Sequence, residues 1–395
     1  MTSQFIKINN YKNFKKLLYK FKRGDYYVCP VCNNKNKIYI GYKNGEEYCR
    51  KCIRVSNSKT VENKMIILDK TIKANINYSL TQTQQKASEE ILNYVRNNQS
   101  VIVNAVCGAG KTELVYQSIE YMVNQNKKVA FAIPRKDVVI EICNRLKKDY
   151  PTLKISAVYG GNTNDLEGQL VVITTHQLFR YKNYFDLLIL DEADAFPYYK
   201  DELLNNFLKS SVKGPIVYLS ATIKDDYKKE CKNIVYVNRR FHNYDLPVPK
   251  VIRFNLFNKI VKLKQIIALN LYKQILVFVP TIDIGRKISK ITGYNFVYSS
   301  LKNKQEIIDM FKEKRIRVLI TTSILERGMT FFNVQVIVFD TQHDLFDESS
   351  LIQISGRVGR KLKAPIGNVY FLTTKSTPSI QKCIKTIKKK NKAIV

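Results

Sequence analysis

Nowhere in its 395 residues does the chain carry an apolar run close to the ~20 that a membrane-spanning helix needs. A soluble protein is expected. Met1 to Lys22 intersperses Lys with single apolar residues and lacks both a continuous hydrophobic stretch and a small-residue cleavage site. No secretory signal is legible there, and a cytoplasmic address is the default. Histidine is scarce: His176, His242 and His343 are too dispersed to suggest a metal site of their own, and His176 is expected to hydrogen-bond within its local motif. Acidic residues are half as many as basic ones, 33 against 66, which gives a formal charge of +33. Each Lys or Arg beside a phosphate releases a condensed counterion, so this balance suits a polyanionic partner. Lys, Asn and Ile are abundant along the whole chain, however, and a solvated Lys-rich surface gives the same excess. The tail from Lys382 to Lys392 reads as a solvated helix end.

What is present is globular composition, 45% apolar and 25% charged. The length is too great for one ordinary core and suits two domains of about 150 residues with an appendage. From Leu80 onward, short apolar runs alternate with amphipathic stretches: Val101-Ile102-Val103, Val129 to Ile133, Leu170 to Ile173, Leu187 to Leu190 and Ile216 to Leu219. Such β-branched and Leu runs, separated by helix-length segments, indicate strands buried on both faces of a parallel sheet. Asp245 to Lys250, with Pro247 and Pro249, interrupts the pattern and marks a domain boundary. Beyond it Ile260, Leu263, Ile267 and Leu271 fall at helical spacing, and Ile275 to Val279, Ile316 to Ile320, Val334 to Phe339 and Val369 to Leu372 read as strands of a second α/β domain. No sequence repeat is visible.

Four of the eight cysteines form two copies of one spacing, Cys29/Cys32 and Cys49/Cys52. That pattern presents four thiolates tetrahedrally to Zn²⁺, and a closed shell leaves no position for a reacting water, so the metal is structural. The neighbouring Tyr26, Tyr27, Tyr39, Tyr42, Tyr48, Arg50 and Lys51 suit stacking on single-stranded DNA, or equally a small core with a protein docking face. Cys107, Cys143, Cys231 and Cys383 stand singly and read as reduced thiols, most of them core.

Ala105-Val106-Cys107-Gly108-Ala109-Gly110-Lys111-Thr112 follows a strand and opens a helix, a phosphate loop with Ala105 where the first Gly is usual. Gly108, Ala109 and Gly110 turn backbone N–H groups toward phosphate oxygens, Lys111 neutralises the β- and γ-phosphates, and Thr112 holds Mg²⁺. Asp191 ends a strand, where a carboxylate reaches Mg²⁺, and Glu192 is placed to orient or deprotonate the attacking water. Arg357 and Arg360 in Gly356-Arg357-Val358-Gly359-Arg360 are candidates to stabilise charge on the transferred phosphoryl group.

In order and identity these segments resemble superfamily 2 helicases. On that resemblance Gln84 reads adenine, Ser220-Ala221-Thr222 couples hydrolysis to domain movement together with Gln353, and Gly328 in Thr321-Thr322-Ser323-Ile324-Leu325-Glu326-Arg327-Gly328 belongs to the ATP site. Asp191-Glu192-Ala193-Asp194 invites a DEAD-box RNA helicase label. Ile133-Pro134-Arg135-Lys136-Asp137, Arg327-Gly328-Met329-Thr330 and a motif VI that starts at Gln353 rather than His depart from that family. They look like a DNA-translocase branch that includes the restart helicase PriA and, closer still, the ComFA family of late competence ATPases of Gram-positive bacteria. The likeness runs from Cys29 to about Leu372 and is most specific in the four-Cys module, Thr174-Thr175-His176-Gln177-Leu178, Asp191 to Tyr198 and Ile324 to Phe331.

The resemblance implies an α/β protein of two tandem RecA-like parallel-sheet domains behind an N-terminal four-Cys zinc module. The expected divisions are a segment at 1–24, the zinc module at 25–56, a linker at 57–79, the ATP-binding domain at 80–244 and the helicase C-terminal domain at 245–395. It implies ATP, Mg²⁺ and Zn²⁺ as cofactors, and backbone contacts to single-stranded DNA from Arg135, Thr175, Thr281 and Thr322, each of which also suits a turn or cap. Its implied partners are single-stranded DNA, the competence membrane channel, a ComFC-like protein and further copies of the chain as a homo-oligomer, at the inner face of the cell membrane. The expected activity is ATP-dependent translocation on single-stranded DNA. Rival readings are an RNA or DNA-repair helicase, or a nucleic-acid-binding adaptor that uses ATP as an assembly switch.

Overall fold

The computed structural model describes residues 28–29, 32, 34–43, 46–52, 61, 71–194, 201–222, 225–255, 258–325 and 329–393. Its strands, in chain order, are β1 (Ile40–Lys43), β2 (Glu46–Cys49), β3 (Val101–Ala105), β4 (Val129–Ile133), β5 (Ile155–Val158), β6 (Leu170–Thr174), β7 (Leu187–Asp191), β8 (Ile216–Ser220), β9 (Ile234–Val237), β10 (Lys250–Arg253), β11 (Gln274–Phe278), β12 (Asn295–Val297), β13 (Val318–Thr321), β14 (Val334–Val338) and β15 (Val369–Thr373). They form a β1-β2 hairpin, a sheet of order β5-β6-β4-β7-β8-β3-β9 and a sheet of order β10-β15-β14-β11-β13-β12. The chain divides into two compact units, one of residues 1–79, 85–103 and 112–235, the other of residues 80–84, 104–111 and 236–395.

In the first unit β4, β6 and β8 are buried at every position, which is why their sequences are unbroken apolar runs rather than alternating ones. The pairs β4/β6, β4/β7, β5/β6 and β7/β8 are parallel. Asp191 is the last residue of β7 and the only one of that strand that is not buried. The segment before the first long helix is held in place: the Ile72 N–H donates to Asn124 Oδ1 at 2.7 Å, and the Ala74 N–H to Glu120 Oε1 at 2.9 Å.

In the second unit β11 runs parallel to both β13 and β14, and β15 parallel to both β14 and β10. The helix Ile282–Thr292 starts on a Thr281 side chain that accepts from the Ile284 N–H and stops at Gly293 with φ +74°. The expected helix through Leu271 ends earlier. The helix Lys259–Ala268 buries Leu263 and Ile267, but Leu271 lies beyond its end and is 57% exposed. A turn closed by the Lys273 N–H on the Asn270 carbonyl leads the chain into β11 instead.

The Lys-rich tail forms the helix Pro378–Lys392, with Thr377 as N-cap and Ile380, Cys383, Ile387 and, against the expectation of a solvated end, Lys390 buried. Lys382, Lys385, Lys388, Lys389 and Lys392 are exposed, as a solvated helix face requires. Among the described residues no helix is long and apolar enough to cross a membrane.

Candidate nucleotide site and metal centre

The hairpin register pairs Ile40 with Cys49, and the Cys29 N–H donates to the Asn34 carbonyl at 3.0 Å. The four sulfur atoms lie within 4.8 Å of one another and all four residues are buried. Cys29 and Cys52 sulfurs are 3.4 Å apart, and those of Cys32 and Cys49 are 3.7 Å apart. Disulfides would need about 2.05 Å. A tetrahedral zinc with sulfurs at about 2.3 Å sets sulfur–sulfur edges of about 3.8 Å, so the donor set fits a zinc module. Tyr42 and Ile38 of this module are 71% and 77% exposed, and Lys51 lies over the Tyr39 ring at 4.3 Å.

The phosphate loop takes the shape its glycines permit. Gly108 has φ +86° and Gly110 φ +78°, and the Ala109 N–H donates to the Val106 carbonyl at 3.0 Å. Lys111 then begins the helix Lys111–Leu114, in which Thr112 is buried. Gln84 is buried on the same loop, its Nε2 donating to the Ala109 carbonyl at 2.9 Å while its Oε1 accepts from the Thr81 N–H at 3.0 Å. Here Gln84 braces the loop. Gln353 does so from the other direction in sequence, its Oε1 accepting from the Cys107 thiol at 3.1 Å. Cys107 is thus more than a core thiol; Cys143, Cys231 and Cys383 are buried and free as expected.

At the end of β7 the Glu192 N–H donates to Asp191 Oδ1 at 2.8 Å, and Glu192 has φ +55°. A left-handed Glu is strained, and such strain collects at functional sites. Asp194, which the sequence left without a role, accepts from Ser220 Oγ at 2.7 Å and from Thr222 Oγ1 at 2.8 Å. Because β8 stands between β7 and β3 in the sheet, Ser220-Ala221-Thr222 sits beside the strand end that carries the acids. Asp194→Ala should therefore uncouple the two segments, leaving ATP affinity within about threefold but lowering turnover about tenfold or more, as steady-state kinetics would show.

Arg357 is buried and its Nη1 donates to the Met329 carbonyl, while Arg360 is partly exposed with Nε donating to the Gly356 carbonyl at 2.9 Å. The four expected DNA-contact residues each have a local setting of their own. Arg135 donates to Asp137 at 2.6 Å, Thr281 caps its helix, Thr322 is half-buried, and Thr175 is fully buried. His176 is exposed, and Gln177 makes the local bond, accepting from Arg180 Nε at 2.6 Å. Gly328, with Glu326 and Arg327, and Ala195 to Tyr198 lie outside the described residues.

His242 adds a pH-sensitive bond. Its Nδ1 accepts from the Tyr244 N–H at 3.2 Å and its Nε2 faces the Gly359 carbonyl at 2.9 Å, which fixes a neutral ring with the proton on Nε2. Burial holds its pKa below the ordinary value. The unfolded chain therefore takes up the proton first as pH falls below about 6.5, and the stability this ring contributes at neutral pH is lost on acidification. His242→Gln should flatten the fall of melting temperature between pH 7 and pH 5, roughly the window that ordinary histidine values set.

Residues 77–225 match the family described as type III restriction enzyme, res subunit, and residues 258–361 match the helicase conserved C-terminal domain. Yeast Dbp5 bound to RNA and ADP BeF3 superposes with a TM-score of 0.60 at 18% identity, covering 80% of this chain and 93% of that one. That likeness establishes the fold of two RecA-like domains. Competence protein ComFA of Streptococcus pneumoniae (strain ATCC BAA-255 / R6) is 34% identical over 92% of this chain and 90% of its own length. Competence protein ComFA of Bacillus subtilis (strain 168) is 33% identical over 92% and 86%. Fold, phosphate loop and these matches define a DNA-dependent, helicase-like ATPase of the superfamily 2 type. Within that class the chain belongs to the ComFA family.

Proposed function

We propose that this ATPase translocates on single-stranded DNA and drives uptake of transforming DNA during competence. The observation that carries the reading is the similarity over nearly the whole chain to two competence proteins. In this reading Lys111 and the loop from Gly108 to Thr112 hold the phosphates, Thr112 and Asp191 hold Mg²⁺, and Glu192 directs water at the γ-phosphate. Arg357 and Arg360 stabilise the charge that develops there, and Ser220, Thr222 and Gln353 pass the change on. Cys29, Cys32, Cys49 and Cys52 hold one structural Zn²⁺. The chain works in the cytoplasm at the inner face of the membrane, beside the uptake channel and a ComFC-like partner. Arg135, Thr175, Thr281 and Thr322 follow the DNA backbone in the family pattern; Arg135 must exchange Asp137 for phosphate, and Thr175 acts only if its buried hydroxyl is uncovered.

The formal charge of +33 predicts how the strand is held. Neutralising about five phosphates of a single strand costs about 100-fold in affinity between 50 and 200 mM salt. Anisotropy titrations with two unrelated labelled oligonucleotides should show that loss, with affinities within about threefold of each other because phosphate contacts carry no sequence. Tight binding of one sequence, unchanged by salt, contradicts the reading.

A further inference from the structure

After β9 the chain runs Asn238-Arg239-Arg240-Phe241-His242, a segment that no sequence motif marks. Its course is set by the phosphate loop, because the Val106 N–H donates to the Val237 carbonyl at 3.0 Å and the Phe241 N–H to the Gly108 carbonyl at 3.5 Å. Arg240 is 3% exposed. Its Nε donates to the Cys107 carbonyl at 3.1 Å, Nη1 to the carbonyls of Val358 and Gly359 at 2.8 Å each, and Nη2 to that of Gly356 at 3.4 Å. One planar fork therefore ties the phosphate loop to the Gly356–Arg360 turn.

Two glycines keep this junction close-packed. Gly359 has φ +70°, and a Cβ there would stand 2.2 Å from the Pro365 carbonyl oxygen and 2.8 Å from Arg240 Nη1. A Cβ on Gly356 would fall 2.3 Å from the Cys107 Cβ. Both glycines let backbone carbonyls crowd onto the guanidinium and the loop. The ionic partners among the described residues do not include a carboxylate for Arg240, and Arg360, whose Nε shares the Gly356 carbonyl, acts on it as a like charge. A buried guanidinium that spends its donors on carbonyls places groups; it does not form a structural ion pair.

We infer that Arg240 is a positioning residue for ATP hydrolysis, seating the Gly356–Arg360 turn on Cys107 and Gly108 and so aiming Arg360 at the phosphates. The inference rests on the assignment of Gly108 to Thr112 and Arg360 to the ATP site. It does not depend on DNA translocation. Lys in place of Arg240 keeps the charge but offers a point ammonium that cannot span carbonyls on both sides.

The test is a double-mutant cycle in the full chain with Arg240→Lys, Arg360→Ala and the two combined. Steady-state ATPase is read alongside equilibrium binding of a non-hydrolysable ATP analogue and thermal melting. Arg240→Lys should lower kcat about tenfold or more while KM and analogue affinity stay within about threefold. The double variant should fall within about threefold of Arg360→Ala alone, because Arg240 acts through Arg360. Wild-type turnover in Arg240→Lys, losses that multiply in the double variant, or a kcat loss that tracks a lost fraction of folded, analogue-binding protein would each overturn the inference. A wild-type chain that hydrolyses ATP without stimulation by DNA would defeat the proposed function and leave this cycle readable.

Discussion

Glu192→Gln should bind ATP with near wild-type affinity and hydrolyse it about two orders of magnitude or more slowly. The substitution keeps the size of the side chain and its capacity to hydrogen-bond, and removes only the carboxylate that can take a proton from water. The backbone is held left-handed at Glu192, with its N–H on Asp191 Oδ1, and this geometry belongs to the main chain and survives the change. Lys111→Ala separates binding from chemistry, because in the proposed site it withdraws the charge assigned to the phosphates and should lower analogue affinity itself. Arg360→Ala should match Glu192→Gln in slow turnover while retaining analogue binding. A binding module without catalysis would not distinguish these variants by turnover. Filter binding of the analogue beside single-turnover hydrolysis reads the difference directly.

Removal of the metal should produce the second large effect. Cys29→Ser or Cys49→Ser leaves three sulfur donors around a centre whose four sulfurs lie within 4.8 Å, and bound zinc should fall from one equivalent per chain toward none. Among the described residues the module joins the first unit's apolar core through the four buried cysteines, Ile40 and Tyr48, and the cysteines stay together only while the metal holds them, so residues 25–56 should become protease-sensitive. Analogue binding should persist, because the phosphate loop makes its bonds to Gln84, Arg240 and Gln353, none of which belongs to the module. Metal analysis and limited proteolysis of chelator-free protein check both halves.

The sequence was most legible where burial is most complete. β3, β4, β6, β7, β8, β11, β13, β14 and β15 coincide with the apolar runs, interrupted within the strands only by Asn104 in β3 and Gln335 in β14, because each is covered on both sides and paired at both edges. Within the two large sheets, the described strands that the apolar runs did not mark are β5, β9, β10 and β12, the outer ones. An outer strand pairs on one side and can be short and polar: β10 reads Lys-Val-Ile-Arg with no fully buried residue, and β12 has only three residues. The candidate site divides in the same way. The cysteines, the Gly108–Thr112 loop and the Asp191-Glu192 pair were singled out by spacing alone, because ligand geometry imposes fixed spacings on such groups. Asp194 and Arg240 make their bonds to folded neighbours 26 to 133 residues distant in sequence, and nothing in local spacing records such contacts.

Steady-state ATP hydrolysis, compared without nucleic acid and with single-stranded DNA, duplex DNA and RNA at two salt concentrations, tests the account most directly. A DNA-driven motor should be stimulated most by single-stranded DNA, with no dependence on its sequence and with the stimulation shifted to higher DNA concentration as salt rises. Equal stimulation by RNA, or an ATP turnover that no nucleic acid changes at either salt concentration, would contradict it.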